Sequence, residues 1–184
     1  RYVDSHDMTV QTKVQIMLDH WIEKGSKEIQ GRSRGMIVTQ SRKHCVRYFK
    51  EINKQLEDRG MTYKCLVGFS GEVSLDGEKY TESGCNQTIG HDGNVPFGLK
   101  NPKYRLLVVA NKFQTGFDEP LIQSMYVDKK LGGVQCVQTL SRLNRTTSGK
   151  TQTFTLDFAN KTEEIQDSFQ RFYQSTILDG EIGR

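Results

Sequence analysis

Tyr104-Arg-Leu-Leu-Val-Val-Ala110 is the stretch that most limits how this chain can fold. It shows no alternation of apolar and polar residues. A strand of that kind has both faces covered, which is the mark of a parallel sheet held between layers of helix. The flanking pattern agrees. Gly35-Met-Ile-Val-Thr39 reads as a short buried strand, and Ser41 as the cap of a helix running to about Arg59, with Cys45, Val46, Phe49, Ile52 and Leu56 on one face. Gly60 ends that helix and Tyr63 to Phe69 reads as a second strand. Strand–helix–strand units of this type build parallel sheets. Beyond residue 110 the alternation resumes: a strand at Met125–Asp128, a helix over Val134–Asn144, a strand over Thr151–Phe158 and a last amphipathic helix marked by Ile165, Phe169, Phe172 and Thr176. Val10, Val14, Met17, Leu18, Trp21 and Ile22 place another helix before the first strand. The expected fold is α/β in three layers, a mostly parallel sheet flanked by helices, plus an N-terminal helix.

Residues 70–102 interrupt the rhythm with six glycines and two prolines. They are expected as a long loop or insertion, with room for a short helix near Tyr80 to Asn86. A length of 184 residues suits one domain. We therefore expect residues 1–30 as a helical segment or linker from a preceding domain, and 31–184 as the domain proper. With no initiator Met and an end just after a helical pattern, the chain reads as a piece of something longer.

Composition narrows the class. Hydrophobic residues make up 35% and charged residues 26%, polar for a globular domain but short of disorder. No apolar run reaches membrane-spanning length and no signal-peptide pattern opens the chain, so a cytoplasmic protein without membrane contact is expected. Cys45, Cys65, Cys85 and Cys136 form no C-x-x-C pair, which argues for reduced thiols and against zinc. Net charge is +4, and ten Lys, Arg and His residues lie between Arg32 and Lys64 against three acids. That excess is compatible with a nucleic-acid backbone.

Three stretches carry residues suited to phosphate. In Gln138-Thr-Leu-Ser-Arg-Leu-Asn-Arg145, a helix would set Arg142 and Arg145 on one face, with Gln138 a turn before Arg142. Paired guanidinium groups can grip a phosphate as its negative charge grows; taken alone, a solvated basic helix end is the plainer account. Asn111-Lys-Phe-Gln-Thr-Gly-Phe-Asp-Glu-Pro120 follows the apolar strand directly, where ligand contacts collect in open α/β sheets. There Gly116 permits close backbone approach, Thr115 offers a hydroxyl and an N–H, and Asp118 a carboxylate that could accept from ribose hydroxyls. In the third, Thr39, Ser41 and Arg42 stand at a strand-to-helix junction. Ser148-Gly-Lys-Thr151 imitates a P-loop, but Asn144 stands where the pattern needs glycine, and a helix precedes while a strand follows. Gly149-Lys150 is better read as a turn. The four histidines receive no role, and Asp157 reads as a cap.

In order, GMIVTQSR, LVGFSGEVSLDGEKY, LLVVANKFQTGFDEP, QCVQTLSRLNR and FTLDFAN resemble the second RecA-like motor domain of a superfamily 2 translocase. More narrowly, FQTGFDEP and QTLSRLNR resemble the restriction subunit of type I restriction-modification enzymes. The last motif departs from the general Q-x-x-G-R-x-x-R at Ser141. The likeness covers roughly residues 33–178. It implies an ATP-dependent motor that pulls double-stranded DNA and cuts it through a separate nuclease domain. It implies an ATP and Mg²⁺ site held mainly by a preceding RecA-like domain, which supplies the P-loop and acidic motif this chain lacks. It also implies modification and specificity subunits as partners. By the resemblance, Arg142 and Arg145 would reach across the cleft, Arg145 as an arginine finger. Gln138, Gly116 and Asp118 would attend the nucleotide. Thr39, Ser41, Arg42, Ser70 in the Phe69-Ser-Gly71 turn, and Thr115 would face DNA. The isolated chain is expected not to hydrolyse ATP. The alternatives are a nucleic-acid-binding α/β module without nucleotide chemistry, another superfamily 2 helicase domain, and a stand-alone domain for a phosphorylated ligand; for the last, no G-x-G-x-x-G fingerprint is present.

Overall fold

The computed structural model describes residues 1–113 and 117–182. The strand expected to be covered on both sides lies within its main sheet, flanked by a neighbour on each side. β1 (Arg34–Thr39), β2 (Lys64–Gly68), β5 (Tyr104–Val109), β6 (Ile122–Asp128) and β7 (Phe154–Asp157) form a five-stranded sheet in the order β2-β5-β1-β6-β7. Every neighbouring pair is parallel. The β1-to-β2 crossover leaves a gap, which β5 fills.

Alternate side chains divide the core. Ile37, Leu106 and Val108 point to one face, where they pack with Val14, Met17, Leu18 and Trp21 of α1 (Val10–Glu23) and Val46, Phe49 and Ile52 of α2 (Arg42–Asp58). Met36, Val38, Leu107 and Val109 point to the other, against Leu99 of α4 (Val95–Leu99) and Cys136 and Leu140 of α5 (Gly133–Leu140). A helix α6 (Thr162–Ile182) packs outside α5 through Ile165 and Phe169. Full burial of an aliphatic or aromatic side chain stabilises by about 1.5–3 kcal/mol, so these two half-cores hold the three layers together. All four cysteines are free and buried, and burial pushes the Cys45 thiol up to about 12.

Local chemistry sets the ends of the elements. The Ser41 hydroxyl accepts the His44 N–H at the start of α2, and Gly60, at φ +73°, turns the chain out of its end. Two regions hold more structure than their sequence signals. Residues 1–30, expected as a helical segment or linker, carry α1 and pack on the sheet. Trp21 is fully buried in the main core and donates its indole N–H to the Tyr63 hydroxyl at 3.1 Å, while residues 1–3 pair alongside β7. Residues 70–102, expected as a long loop or insertion with room for a short helix near Tyr80 to Asn86, form a hairpin, β3 (Glu72–Leu75) and β4 (Glu78–Thr81), then α3 (Glu82–Thr88), where that helix falls, and α4. Asp76 and Gly77, both at positive φ, make the hairpin's turn, and Val73 and Leu75 alternate inward. Gly71, Gly77 and Gly90, all at positive φ, mark turns between these short elements.

Candidate functional site

The arginine motif folds in two pieces. α5 carries Gln138 on its exposed side and stops at Leu140. Ser141–Asn144 then tighten into a 3₁₀ turn that buries Leu143, and Arg145 leaves with extended backbone. A single α-helix over 134–144 was expected, and this is a correction. The consequence for the arginines is small, because three residues per turn also stack positions i and i+3.

Both guanidinium groups turn toward the segment after β5. Arg142 Nη1 donates to the Phe117 carbonyl at 2.7 Å. Arg145 Nε lies 3.3 Å from Asp118 Oδ1, with the two side chains 51% and 68% exposed. Such an exposed pair contributes about 0–1 kcal/mol, weak enough to be exchanged for a better anion. Burial, and then the charge of Arg145, lower the pKa of Arg142, yet a guanidinium stays charged. Gln138, Arg142 and Arg145 line one open cleft of about 350 Å³, closed on its far side by Phe172 and Tyr173 of α6. A ring of donors around an open cleft can hold an anion.

The loop that carries Asp118 crosses the sheet. Asn111–Phe113 sit where β5 ends, but Leu121 already accepts the N–H of Arg34 at the start of β1. Asp118 therefore lies toward the amino end of β6, not at the carboxyl edge where it was expected. Thr115 and Gly116 lie outside the described residues.

The other predicted contacts gather at the carboxyl ends of β1 and β2. Arg42 Nη1 donates to the carbonyls of Ser70 and Glu72, at 3.1 and 3.0 Å. Ser41, Arg42 and Ser70 thus meet at one edge, with Arg42 and Ser70 exposed. Thr39 does not join them. It is fully buried, and its hydroxyl donates to the Val109 carbonyl at 2.8 Å, tying β1 to β5. A side chain so placed cannot touch a DNA backbone, and its role as a contact is withdrawn.

Two further residues escaped the sequence. Glu82 Oε1 accepts both the Phe69 N–H and Lys112 Nζ at 3.1 Å, joining the Phe69–Gly71 turn to the start of the crossing loop. Its only sequence signal is a capped helix start after Thr81. Lys150 Nζ donates to the carbonyls of Pro120, Ile122 and Arg145, at 3.0, 2.9 and 2.6 Å. A strand, β7, follows it, whereas a P-loop opens a helix. Gly149, at φ +84°, makes the turn that delivers Lys150. Asp157 Oδ1 accepts the N–H groups of Ala159 and Asn160, capping the turn after β7. Among the described residues no cluster of three or more His, Cys, Asp or Glu could hold a metal ion, and no helix is long and apolar enough to cross a membrane.

A parallel five-stranded sheet with helices on both faces is a three-layer fold of the RecA-like type. The same fold appears in the structure of Mycobacterium smegmatis helicase Lhr bound to ssDNA and AMP-PNP, with a TM-score of 0.52 over 90% of this chain and 18% of that one, at 13% identity. The particular relationship comes from sequence. Residues 86–160, which contain both the Asp118 and the arginine motifs, match the family described as type I restriction enzyme subunit R domain 3. The chain is 26% identical over 207 residues to the type I restriction enzyme SauCOLORF180P endonuclease subunit of Staphylococcus aureus (strain COL), covering 96% of this chain and 22% of that subunit. It is 27% identical over 161 residues to the putative type I restriction enzyme MjaIXP endonuclease subunit of Methanocaldococcus jannaschii, covering 86% of this chain and 15% of that one. In sequence the chain is similar to type I restriction enzyme R subunits, and it spans 22% of the length of the first of them.

Proposed function

We propose that this chain is the second motor domain of an ATP-dependent, DNA-translocating restriction subunit, lending arginines to an ATP site completed by a preceding RecA-like domain. The observation that carries the reading is the convergence of Gln138, Arg142 and Arg145 on one cleft beside Asp118. ATP supplies the phosphoanhydride bond whose hydrolysis drives the motor. The residues here do the rest of their half. Arg145 leaves Asp118 and meets negative charge growing on the transferred phosphoryl group. Arg142, anchored on the Phe117 carbonyl, holds the turn that aims Arg145 and adds a second positive charge. Asp118, once released, accepts from ribose hydroxyls, and Gln138 steadies the nucleotide's edge. Mg²⁺ belongs with the acidic motif and P-loop of the preceding domain, neither of which this sequence contains. Double-stranded DNA would run along the Ser41, Arg42 and Ser70 edge, and Thr115 with Gly116 would couple the nucleotide site to it. Modification and specificity subunits would complete the complex and choose the DNA sequence.

The test is Arg145→Ala in the whole subunit. ATP hydrolysis should fall by about 10³–10⁵, the range for a lost arginine finger, and translocation should stop while DNA stays bound. Retained ATPase refutes the reading. DNA binding that weakens steeply with salt and ignores ATP would instead favour a plain nucleic-acid-binding module. The chain by itself should show no ATP turnover.

A further inference from the structure

We infer that Lys150 is a positioning residue for Arg145, a clamp that fixes the arginine's backbone against the strand entry beside Asp118. An ammonium group has three donors and no acceptor. Here three carbonyls take them: Pro120 and Ile122, where the crossing loop enters β6, and Arg145 itself. One side chain thus ties the arginine to the far end of the segment that Asp118 belongs to. The turn that carries Lys150 is itself fixed. Lys150 N–H donates to the Thr147 carbonyl at 3.2 Å, and Arg32 Nη2 donates to the Ser148 carbonyl at 2.8 Å.

The arrangement matters because Arg145 has little else to hold it. It stands past the end of the 3₁₀ turn with extended backbone, and its own side chain is half-exposed. Without the clamp, its Cα is free to swing while the Asp118 segment stays anchored through Phe117 and Arg142. A displacement of about 1 Å at a reacting site can cost roughly 100-fold in rate. The Ser-Gly-Lys-Thr string therefore serves the phosphate site indirectly. Its lysine orients the group that touches phosphate and does not touch it.

This inference rests on the proposed role of Arg145, and the experiment separates the two. In the whole subunit, Lys150→Met keeps the stem and removes the donors. DNA-stimulated kcat should fall roughly 10- to 100-fold with KM for ATP within about twofold, because the arginine acts in the transition state. Affinity for ADP with aluminium fluoride should fall in parallel, while affinity for ADP alone and for DNA holds. Adding Lys150→Met to Arg145→Ala should weaken ADP–aluminium fluoride no further. An equal further loss on that background, a native kcat, or a rise in KM matching the fall in kcat would overturn the clamp. If Lys150→Met does not fold, Lys150→Arg decides: it keeps the charge without the tripod of donors, so a several-fold fall in kcat at unchanged KM supports the inference and a native kcat refutes it. Arg145→Ala with native ATPase would instead remove the reading beneath it, whatever Lys150 does.

Discussion

The two ends of the sheet use the same kinds of residue for different work. At the carboxyl edge, polar side chains brace the fold: Thr39 ties β1 to β5, Ser41 caps α2, and Arg42 holds the carbonyls of Ser70 and Glu72. At the amino-end corner, the bracing is done by Arg142 and Lys150 on backbone carbonyls, and Arg145 is left half-exposed with an exchangeable partner. A cation that is fixed through its own guanidinium is a strut. A cation whose backbone is fixed while its guanidinium stays available is a tool. That distinction, rather than the count of positive charges at each end, separates the corner from the edge.

The largest effect that could break this contrast is expected from Arg142→Ala. In the whole subunit it should lower ATP hydrolysis by roughly 10²–10³, the cost of one lost charge-stabilising donor. Unlike Arg145→Ala, it should also lower stability by about 1–2 kcal/mol, since the Phe117 carbonyl loses a charged partner. Stability is read from chemical denaturation and rate from ATP turnover. Equal stability in the two variants would show that Arg142 is no more a strut than Arg145.

Arg42→Ala sharpens the comparison from the other end. Only its Nη1 braces the Ser70 and Glu72 carbonyls, and the residue is otherwise exposed, so it should also contribute one phosphate contact: DNA affinity should fall across all sequences and the salt dependence should flatten by about one unit of slope. KM for ATP should not change. A shift in KM without a change in the salt slope would move Arg42 to the nucleotide side.

Thr39→Val tests the withdrawn contact. The swap keeps the shape and deletes the hydroxyl, so it should cost about 0.5–1.5 kcal/mol of stability and leave DNA affinity alone. Weaker DNA binding at intact stability would restore the residue to the interface.

What was legible follows from which physics each feature uses. The sheet was readable because burial on both faces leaves a continuous apolar run at 104–110, and α2 because Ser41, its apolar stripe and Gly60 are local signals. The grouping of Arg142, Arg145 and Asp118 was readable only as motifs; nothing local says that a loop leaving β5 will cross to the amino end of β6. Thr39 was misread because a threonine at a strand end looks the same in sequence whether its hydroxyl meets solvent or a neighbouring carbonyl. In residues 70–102 the short helix near Tyr80 to Asn86 was legible but the hairpin and α4 were not, because a two-residue turn and such short elements leave too few residues for periodicity to show. Lys150 was hidden for a different reason. Its partners are main-chain carbonyls, and a carbonyl has no identity in a sequence.

The smallest expected effect uses one histidine from each end. His44 stands at the carboxyl edge beside the Ser41 hydroxyl, and His20 stacks on Phe154 at the start of β7, its Nδ1 2.7 Å from the Tyr126 hydroxyl. Burial, more than neighbouring cations, lowers both pKa values from the ordinary 6.5. The unfolded chain therefore takes up these two protons first as pH falls. Between 6.5 and the lower folded values the unfolded state binds more protons, so stability drops as the solution is acidified, and their contribution levels off once the folded imidazoles are also charged. Denaturation midpoints of this chain from pH 7.5 down to 5 should fall along that course. His20→Phe should remove one share of the slope and His44→Gln the other, each without touching the corner's arginines. A midpoint that stays flat across the range, or a slope that survives both substitutions, would show that neither end of the sheet shelters its histidine from protonation.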